Sequence, residues 1–342
     1  MKGKTVNLYF VASPLQYLAA RAIAQHIQTG EIQILIWYKP GVESVVIPGD
    51  WDKAAYMPWP RLEPLPGFLG SYRRLLENIE MVSSLIGTCE TLNIHSAVFD
   101  TEAINYFLRV LPKSCGARAM HARILPDGII SIRRYPLSIL KRILQCLRKA
   151  RMLFNPRLNY WCFSGDRLGT DAPFCDRVYV VGGLPHEYPS EKVVVLPPLV
   201  NRIAECGEKS AKTALVIGQP LVGAGLVAKS DLDLISREIH GWLTTQGFER
   251  IEYKRHPKDE NCELIRNGYI NLTLDEPLET WMSKTYYDAV VGVRSSALLF
   301  AKQIYSDKTQ VVAFGWNNVK FKSRAEYNDM HSAFVKCGIT IM

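Results

Sequence analysis

The chain has no CxxC pair, no short Cys/His cluster of zinc-site spacing, no internal repeat and no low-complexity segment. Its eight cysteines, Cys89, Cys115, Cys146, Cys162, Cys175, Cys206, Cys262 and Cys337, are scattered. That spacing argues against a structural zinc module and for free thiols in a reducing compartment. Long hydrophobic runs are also missing. The first apolar stretch, Val6 to Ser13, contains Asn7 and leads into Pro14; it is too short and too polar for a signal peptide or a membrane span, and reads as a buried first strand. No convincing DxD is present either, because Asp231-Leu232-Asp233 opens a predicted helix, where acids favour the positive end of the dipole. No metal and no other cofactor is therefore expected.

One further absence is local. The net charge of +8 coincides with a single stretch without acids, which carries Arg133, Arg134, Lys141, Arg142, Arg148, Lys149, Arg151 and Arg157. The rest of the chain is balanced. Within this stretch Leu137, Ile139, Leu140, Ile143, Leu144 and Leu147 recur at helical spacing among the cations. Such a basic amphipathic helix can lie on an anionic membrane surface, which makes 133–158 a candidate membrane contact; the same pattern fits a core-packed helix with a charged outer face. A basic isoelectric point also fits nucleic acid, but no nucleic-acid module is visible, so no nucleic-acid partner is expected.

What is present is a regular alternation of strands and helices over 342 residues, 48% of them hydrophobic, enough for two packed cores. In the first half the pattern predicts strands at Thr5–Ala12, Ile32–Tyr38, Ala97–Asp100, Ala122–Leu125, Arg177–Val181 and Val193–Leu196. Helices are predicted from Pro14, at Tyr72–Ile86 and at Glu102–Leu111. A polar stretch at 201–212 reads as a linker between domains 1–200 and 213–342. Beyond it strands are expected at Ala214–Gly218, Arg250–Lys254, Ile270–Leu274, Ala289–Val293 and Gln310–Phe314, with helices at Asp231–Gln246, Pro277–Lys284 and Ser296–Gln303. Two βα arrays predict two Rossmann-like domains facing each other across a cleft.

Ligands of open α/β sheets gather beyond the carboxyl ends of the strands, and four motifs follow strands there. Ser13-Pro14-Leu15-Gln16 suits a helix cap, with Gln16 either on the surface or pointing inward. Pro126-Asp127-Gly128 is a plain turn sequence that can also present a carboxylate to an acceptor hydroxyl, with Gly128 leaving room for a sugar. Lys254-Arg255-His256-Pro257-Lys258 groups cations around a histidine that can donate to a departing phosphate, in a backbone stiffened by Pro257. Arg294-Ser295-Ser296 opens a helix and can hold an anion or simply cap it.

Taken together with Gly218-Gln219-Pro220, the order of these motifs resembles bacterial sialyltransferases of the lipooligosaccharide sialyltransferase and polysialyltransferase groups. The matched motifs run from Ser13 to Ser296. The resemblance implies a GT-B fold and metal-independent, inverting transfer from a CMP-sialic acid-type donor to a hydroxyl of a cell-surface glycan. CMP-Kdo or a UDP-sugar is the alternative donor. It makes Asp127 the general base and has His256 bind the CMP phosphate and assist its departure, with Ser295 and Ser296 holding that phosphate. Gly218, Gln219, Lys254, Arg255, Pro257 and Arg294 fall on the donor side, and Ser13, Gln16 and Gly128 on the acceptor side. Glu279 is similar to an acidic residue that meets the donor nucleotide, and also fits a first-turn helix acid. One departure stands out: members often have two acids before the glycine, whereas Pro126 precedes Asp127 here. The acceptor is expected to be lipid-linked, and the enzyme cytoplasmic and peripheral on the inner membrane.

Overall fold

The computed structural model describes residues 3–128, 134–182, 186–197, 199, 211–305 and 309–342. Most of the expected linker, 201–210, and Arg133 lie outside them. The chain forms two compact units, one ending at Leu199 and the other running to Met342.

The first unit runs β1 (Thr5–Val11), α1 (Pro14–His26), β2 (Ile32–Trp37), β3 (Lys53–Tyr56), α2 (Gly70–Ile86), β4 (Thr91–Ser96), α3 (Glu102–Ser114), β5 (Ala119–Ile124), α4 (Ile139–Ala150), β6 (Cys175–Val181) and β7 (Val193–Leu196). Its strands pair in parallel in the order β3-β2-β1-β4-β5-β6-β7. Parallel strands covered on both faces read as continuous apolar runs, and β1 shows why. Val6, Leu8 and Phe10 pack into one core, while Tyr9 and Val11 pack into the core on the opposite face with Tyr17 and Ile23 of α1.

The second unit runs β8 (Thr213–Ile217), α5 (Lys229–Thr245), β9 (Arg250–Lys254), β10 (Ile270–Asn271), α6 (Leu278–Met282), β11 (Ala289–Gly292), α7 (Ser296–Tyr305), β12 (Gln310–Ala313), α8 (Arg324–Lys336) and β13 (Thr340–Ile341). Its parallel order, β10-β9-β8-β11-β12-β13, is that of a Rossmann sheet. The first unit has the same reversal of strand order beside β1. The chain thus consists of two Rossmann-like α/β domains, the composition of the GT-B class. Among the described residues the cysteines are free, and no helix is long and apolar enough to cross a membrane.

One expected strand is wrong. Ala97–Asp100 is a loop; the strand is β4, just upstream. In the loop the Phe99 and Asp100 N–H groups donate to the carbonyls of Leu168 and Arg167, at 3.2 and 3.1 Å, not to a strand neighbour. β4 escapes an apolar-run search because it buries Asn93, His95 and Ser96. β1 answers two of these polar groups, Asn93 Nδ2 and His95 Nε2, through Asn7. Asn93 and His95 lie opposite Asn7 and Tyr9. Asn93 Nδ2 donates to Asn7 Oδ1 at 2.9 Å, and Asn7 Nδ2 donates to Glu31 at 2.6 Å. A buried amide left without such partners costs about 1–3 kcal/mol.

His95 stacks on Tyr9 with ring centroids 4.2 Å apart and has its Nε2 3.3 Å from Asn7 Oδ1. Burial, then the charges of Arg123 and Arg177, push its pKa well below the ordinary 6.5. Below that value the unfolded chain takes up a proton that the native state refuses, so stability is lost as pH falls from there toward the folded pKa. We expect the urea midpoint to drop between about pH 7 and about pH 5, with a limiting slope of about 1.4 kcal/mol per pH unit from this group. His95→Gln should flatten that slope; an unchanged slope would assign it to another group.

Candidate active site

In each unit the sequence motifs collect at the carboxyl edge of the sheet, beside the reversal of strand order. In the first unit β1 hands over to α1 through Ser13, whose hydroxyl accepts from the Gln16 N–H at 3.3 Å, with Pro14 in the first turn. Ser13 is therefore a helix cap. Gln16 is buried and points inward. Its Oε1 accepts from the Ala12 N–H at 2.7 Å, which fixes the flip of the amide, and its Nε2 donates to Asp127 Oδ1 at 2.9 Å. The bond reaches past the end of β4, which separates β1 from β5. Gly128 follows at φ +56°, a left-handed conformation that favours glycine and lets the chain turn away directly after the carboxylate.

Sequence reasoning missed the aromatic side of this edge. Tyr38, the residue after β2, stacks on Trp59 with centroids 4.6 Å apart. Burial and then the Asp127 charge raise its pKa, so its hydroxyl stays protonated. Trp59 in turn lines a cavity of about 780 Å³ together with Tyr72, Leu75, Glu102, Arg151 and Phe154. The signal available in sequence was the position of Tyr38 at a strand end, and its partner is remote in the chain.

In the second unit the edge is built from the ends of β9, β8 and β11, which are adjacent in that order. Gly218 N–H donates to the Lys254 carbonyl at 2.9 Å, joining the ends of β8 and β9. A Cβ at Gly218 would stand 2.4 Å from the Tyr253 hydroxyl, so this close approach requires glycine. Gln219 joins β8 to β11: its Oε1 accepts from the Arg294 N–H at 2.9 Å. Ser295 accepts from the Ala297 N–H at 3.2 Å at the start of α7, and Ser296 begins that helix, half-buried. Arg294 is committed elsewhere. Its guanidinium donates to the Lys320 carbonyl at 3.1 Å, meets Glu326 at 3.3 Å and lies over the Phe321 ring.

His256 sits in a turn closed by the Asp259 N–H donating to its carbonyl at 2.9 Å, with Pro257 at the second position, where a fixed φ suits the turn. Asp259 is buried and receives the Tyr253 hydroxyl at 2.7 Å, which anchors the turn to β9. The decisive contact is at the ring. His256 Nδ1 accepts from the Lys258 N–H at 3.0 Å, so the neutral ring carries its proton on Nε2. Partial burial and then the Lys258 charge lower its pKa below 6.5, against a smaller opposing effect of Asp259. Near neutrality His256 is therefore an uncharged Nε2–H donor. Arg255 and Lys258 are exposed beside it, and the Lys254 ammonium is pushed down by burial and by Arg255. Glu279 opens the short α6, its carboxyl pushed up by burial. Asp231 and Asp233 belong to the first turns of α5, where Asp233 pairs with Arg237 at 3.0 Å and with Arg266 at 2.5 Å. Among the described residues no cluster of three metal-ligating side chains occurs.

Comparison with known proteins agrees with this picture. Residues 189–313 match the family described as Alpha-2,8-polysialyltransferase (POLYST), a span that holds Gly218, His256, Glu279 and Ser295. No curated protein matches the sequence. Among solved structures, a putative UDP-N-acetylglucosamine 2-epimerase from Listeria monocytogenes superposes with TM-score 0.50 at 8% identity, covering 98% of this chain and 88% of that one. MurG from Acinetobacter baumannii gives TM-score 0.48 at 10% identity, covering 99% and 86%. E. coli ADP-heptose LPS heptosyltransferase II gives 0.44 at 9%, covering 91% and 84%. At such identities the likeness concerns the fold, and the first of the three carries it. With the two parallel sheets and the sequence match together, the chain is a glycosyltransferase of GT-B type whose residues 189–313 match the alpha-2,8-polysialyltransferase family.

Proposed function

We propose that the protein transfers sialic acid, or a related nonulosonic acid, from a CMP-activated donor to a sugar hydroxyl of a cell-surface glycan, with inversion and without a metal. The acceptor is a lipid-linked lipooligosaccharide, O-antigen or capsule precursor, and the enzyme works in the cytoplasm, peripheral on the inner membrane. The observation that carries this reading is the fixed tautomer of His256. A neutral Nε2–H at the carboxyl edge of a Rossmann sheet suits the phosphate of a CMP leaving group, which needs one well-placed donor and not the neutralisation of a pyrophosphate.

In the proposed step Asp127 takes the proton of the acceptor hydroxyl as its oxygen attacks the anomeric carbon. The bond from that carbon to the phosphate oxygen breaks, and CMP departs with the electron pair. The His256 Nε2–H and the positive end of α7, with the Ser295 and Ser296 hydroxyls, receive the growing phosphate charge. Lys254 and Arg255 add positive potential. Gln219 holds the α7 entrance in place through Arg294, and Gly218 lets β8 and β9 close up beneath it. In the first unit Gln16 sets the direction of the Asp127 carboxylate, and the cavity beside Trp59 offers aromatic faces to acceptor sugars.

CMP release from CMP-sialic acid, with and without EDTA, over a panel of galactoside acceptors tests the assignment. EDTA-resistant, acceptor-stimulated release is expected, with His256→Ala reducing kcat by roughly 10²–10³ and Asp127→Asn by roughly 10²–10⁴. Inhibition by UDP and not by CMP would move the donor to another nucleotide sugar. Because the neutral ring is the active form, the His256-dependent part of the rate should fall as pH drops below its lowered pKa and should persist above neutrality. A rate that rises on acidification would instead make the imidazolium the acid.

Gln16 is proposed as a positioning residue. Gln16→Leu should lower kcat by about 10-fold or more with little change in donor KM, and Gln16→Glu, which sets a like charge against Asp127, should shift the base limb of the pH profile upward. A purely structural role would lower the melting temperature and leave that profile unmoved.

A further inference from the structure

Helix α4 is built inside out. At 3.6 residues per turn Ile139, Leu140, Ile143, Leu144 and Leu147 share an arc of about 140°. A helix on a globular protein normally turns such an arc toward the core. Here it faces solvent: Ile139 is 78% exposed, Leu140 79% and Leu147 63%. The side turned inward is polar. Gln145 is 1% exposed and donates to Asp100 Oδ1 at 2.9 Å. Following α4, Leu153 and Phe154 are 83% and 87% exposed and extend the apolar surface.

Charge borders this surface on both sides. On the same helical projection Arg142 and Lys149 flank one edge of the arc, and Lys141 and Arg148 the other. Arg148 and Arg151 are held by Glu102, and Arg142 by the Ser164 carbonyl at 2.8 Å. From 134 to 158 the sequence contains no acid that would repel an anionic surface.

We infer that this face, Ile139 to Leu147 with Leu153 and Phe154, docks the enzyme on an anionic lipid bilayer, its apolar arc entering the headgroup boundary and Lys141 and Lys149 reaching the lipid charges. Three features point to a bilayer as the occupant: an apolar arc of interfacial width, cations along both borders, and no acid within the segment. A partner helix would equally cover the arc but would not require cations on both borders. The inference deepens the proposed lipid-linked acceptor, yet its test reads lipid binding and not transfer, so either can fail alone.

Cosedimentation of the full-length protein with vesicles of pure phosphatidylcholine, and of equal parts phosphatidylcholine and phosphatidylglycerol, decides the matter. Binding is expected to the anionic vesicles and to be weakened by salt. Lys141→Gln with Lys149→Gln should weaken it by about 30-fold, and Leu140→Asp with Leu147→Asp by about 100-fold or more. Leu140, Leu147 and Lys149 are exposed and Lys141 is half-buried, so melting temperature should hold, and the lysine pair keeps the test valid should the aspartates disturb the helix. Binding unaffected by both pairs, or no binding by the unaltered protein, overturns the inference. So does concentration-dependent dimerisation abolished by the aspartates, which would give the face to a second copy.

Discussion

Both halves of the molecule depend on how a parallel sheet ends where its strand order reverses. The crossovers leave in opposite directions there, and the strand ends on either side have backbone groups that the ladder no longer pairs. In each unit a glutamine takes up that position. Gln219 accepts the Arg294 N–H and so ties the end of β8 to the entrance of α7. Gln16 accepts the Ala12 N–H at the end of its own strand and donates through Nε2 to Asp127. A carboxamide suits this task because it accepts and donates at once and carries no charge that would shift its neighbours. With the amide of Gln16 fixed by the backbone, the direction of the Asp127 carboxylate is set by the fold itself.

The second unit solves a related problem, that of keeping a histidine neutral on a cationic edge. Lys254, Arg255 and Lys258 make this edge cationic, and partial burial and then the Lys258 charge disfavour the imidazolium. The Lys258 N–H donating to Nδ1 adds a geometric reason, because protonation there would break that bond. In the proposed step, attraction by these cations and donation by the ring act together without competing for the same proton. Arg294, which sequence order places among the donor ligands, lies over Phe321 and pairs with Glu326. Its backbone N–H is tied to Gln219 at the α7 entrance.

Much of the architecture was legible because buried parallel strands of Val, Ile and Leu leave a clear trace, as in β8, β11 and β12. The trace failed where polar side chains are buried inside the sheet. β4 carries Asn93, His95 and Ser96, and only the partner residues Asn7 and Tyr9 on β1 make it a strand, so nothing in its own six residues announces it. The edge strands β3 and β13 were missed because they are only four and two residues long, and the helix α8 because its sequence is largely polar. At the site the motifs at strand ends were legible as positions. Roles that depend on a remote partner were not: Gln16 needs Asp127 to show its direction, and Tyr38 needs Trp59.

Helix α4 shows most sharply what periodicity leaves open. An amphipathic pattern says that two faces differ, and it does not say which face is attached. Attachment is decided by what the core offers, and beneath α4 the core offers polar partners. Asp100 receives Gln145 at 2.9 Å and the Tyr160 hydroxyl at 2.8 Å, and Arg148 bonds that same hydroxyl at 3.2 Å. Anchoring through Asp100 leaves the leucines without a place in the core. A buried carboxylate is tolerable only when fully bonded, so the network that holds it also fixes the helix by its polar side. The apolar surface thus stays outward even though burying it would have stabilised the isolated domain. That sacrifice of stability makes sense in a protein whose α4 meets a second apolar phase.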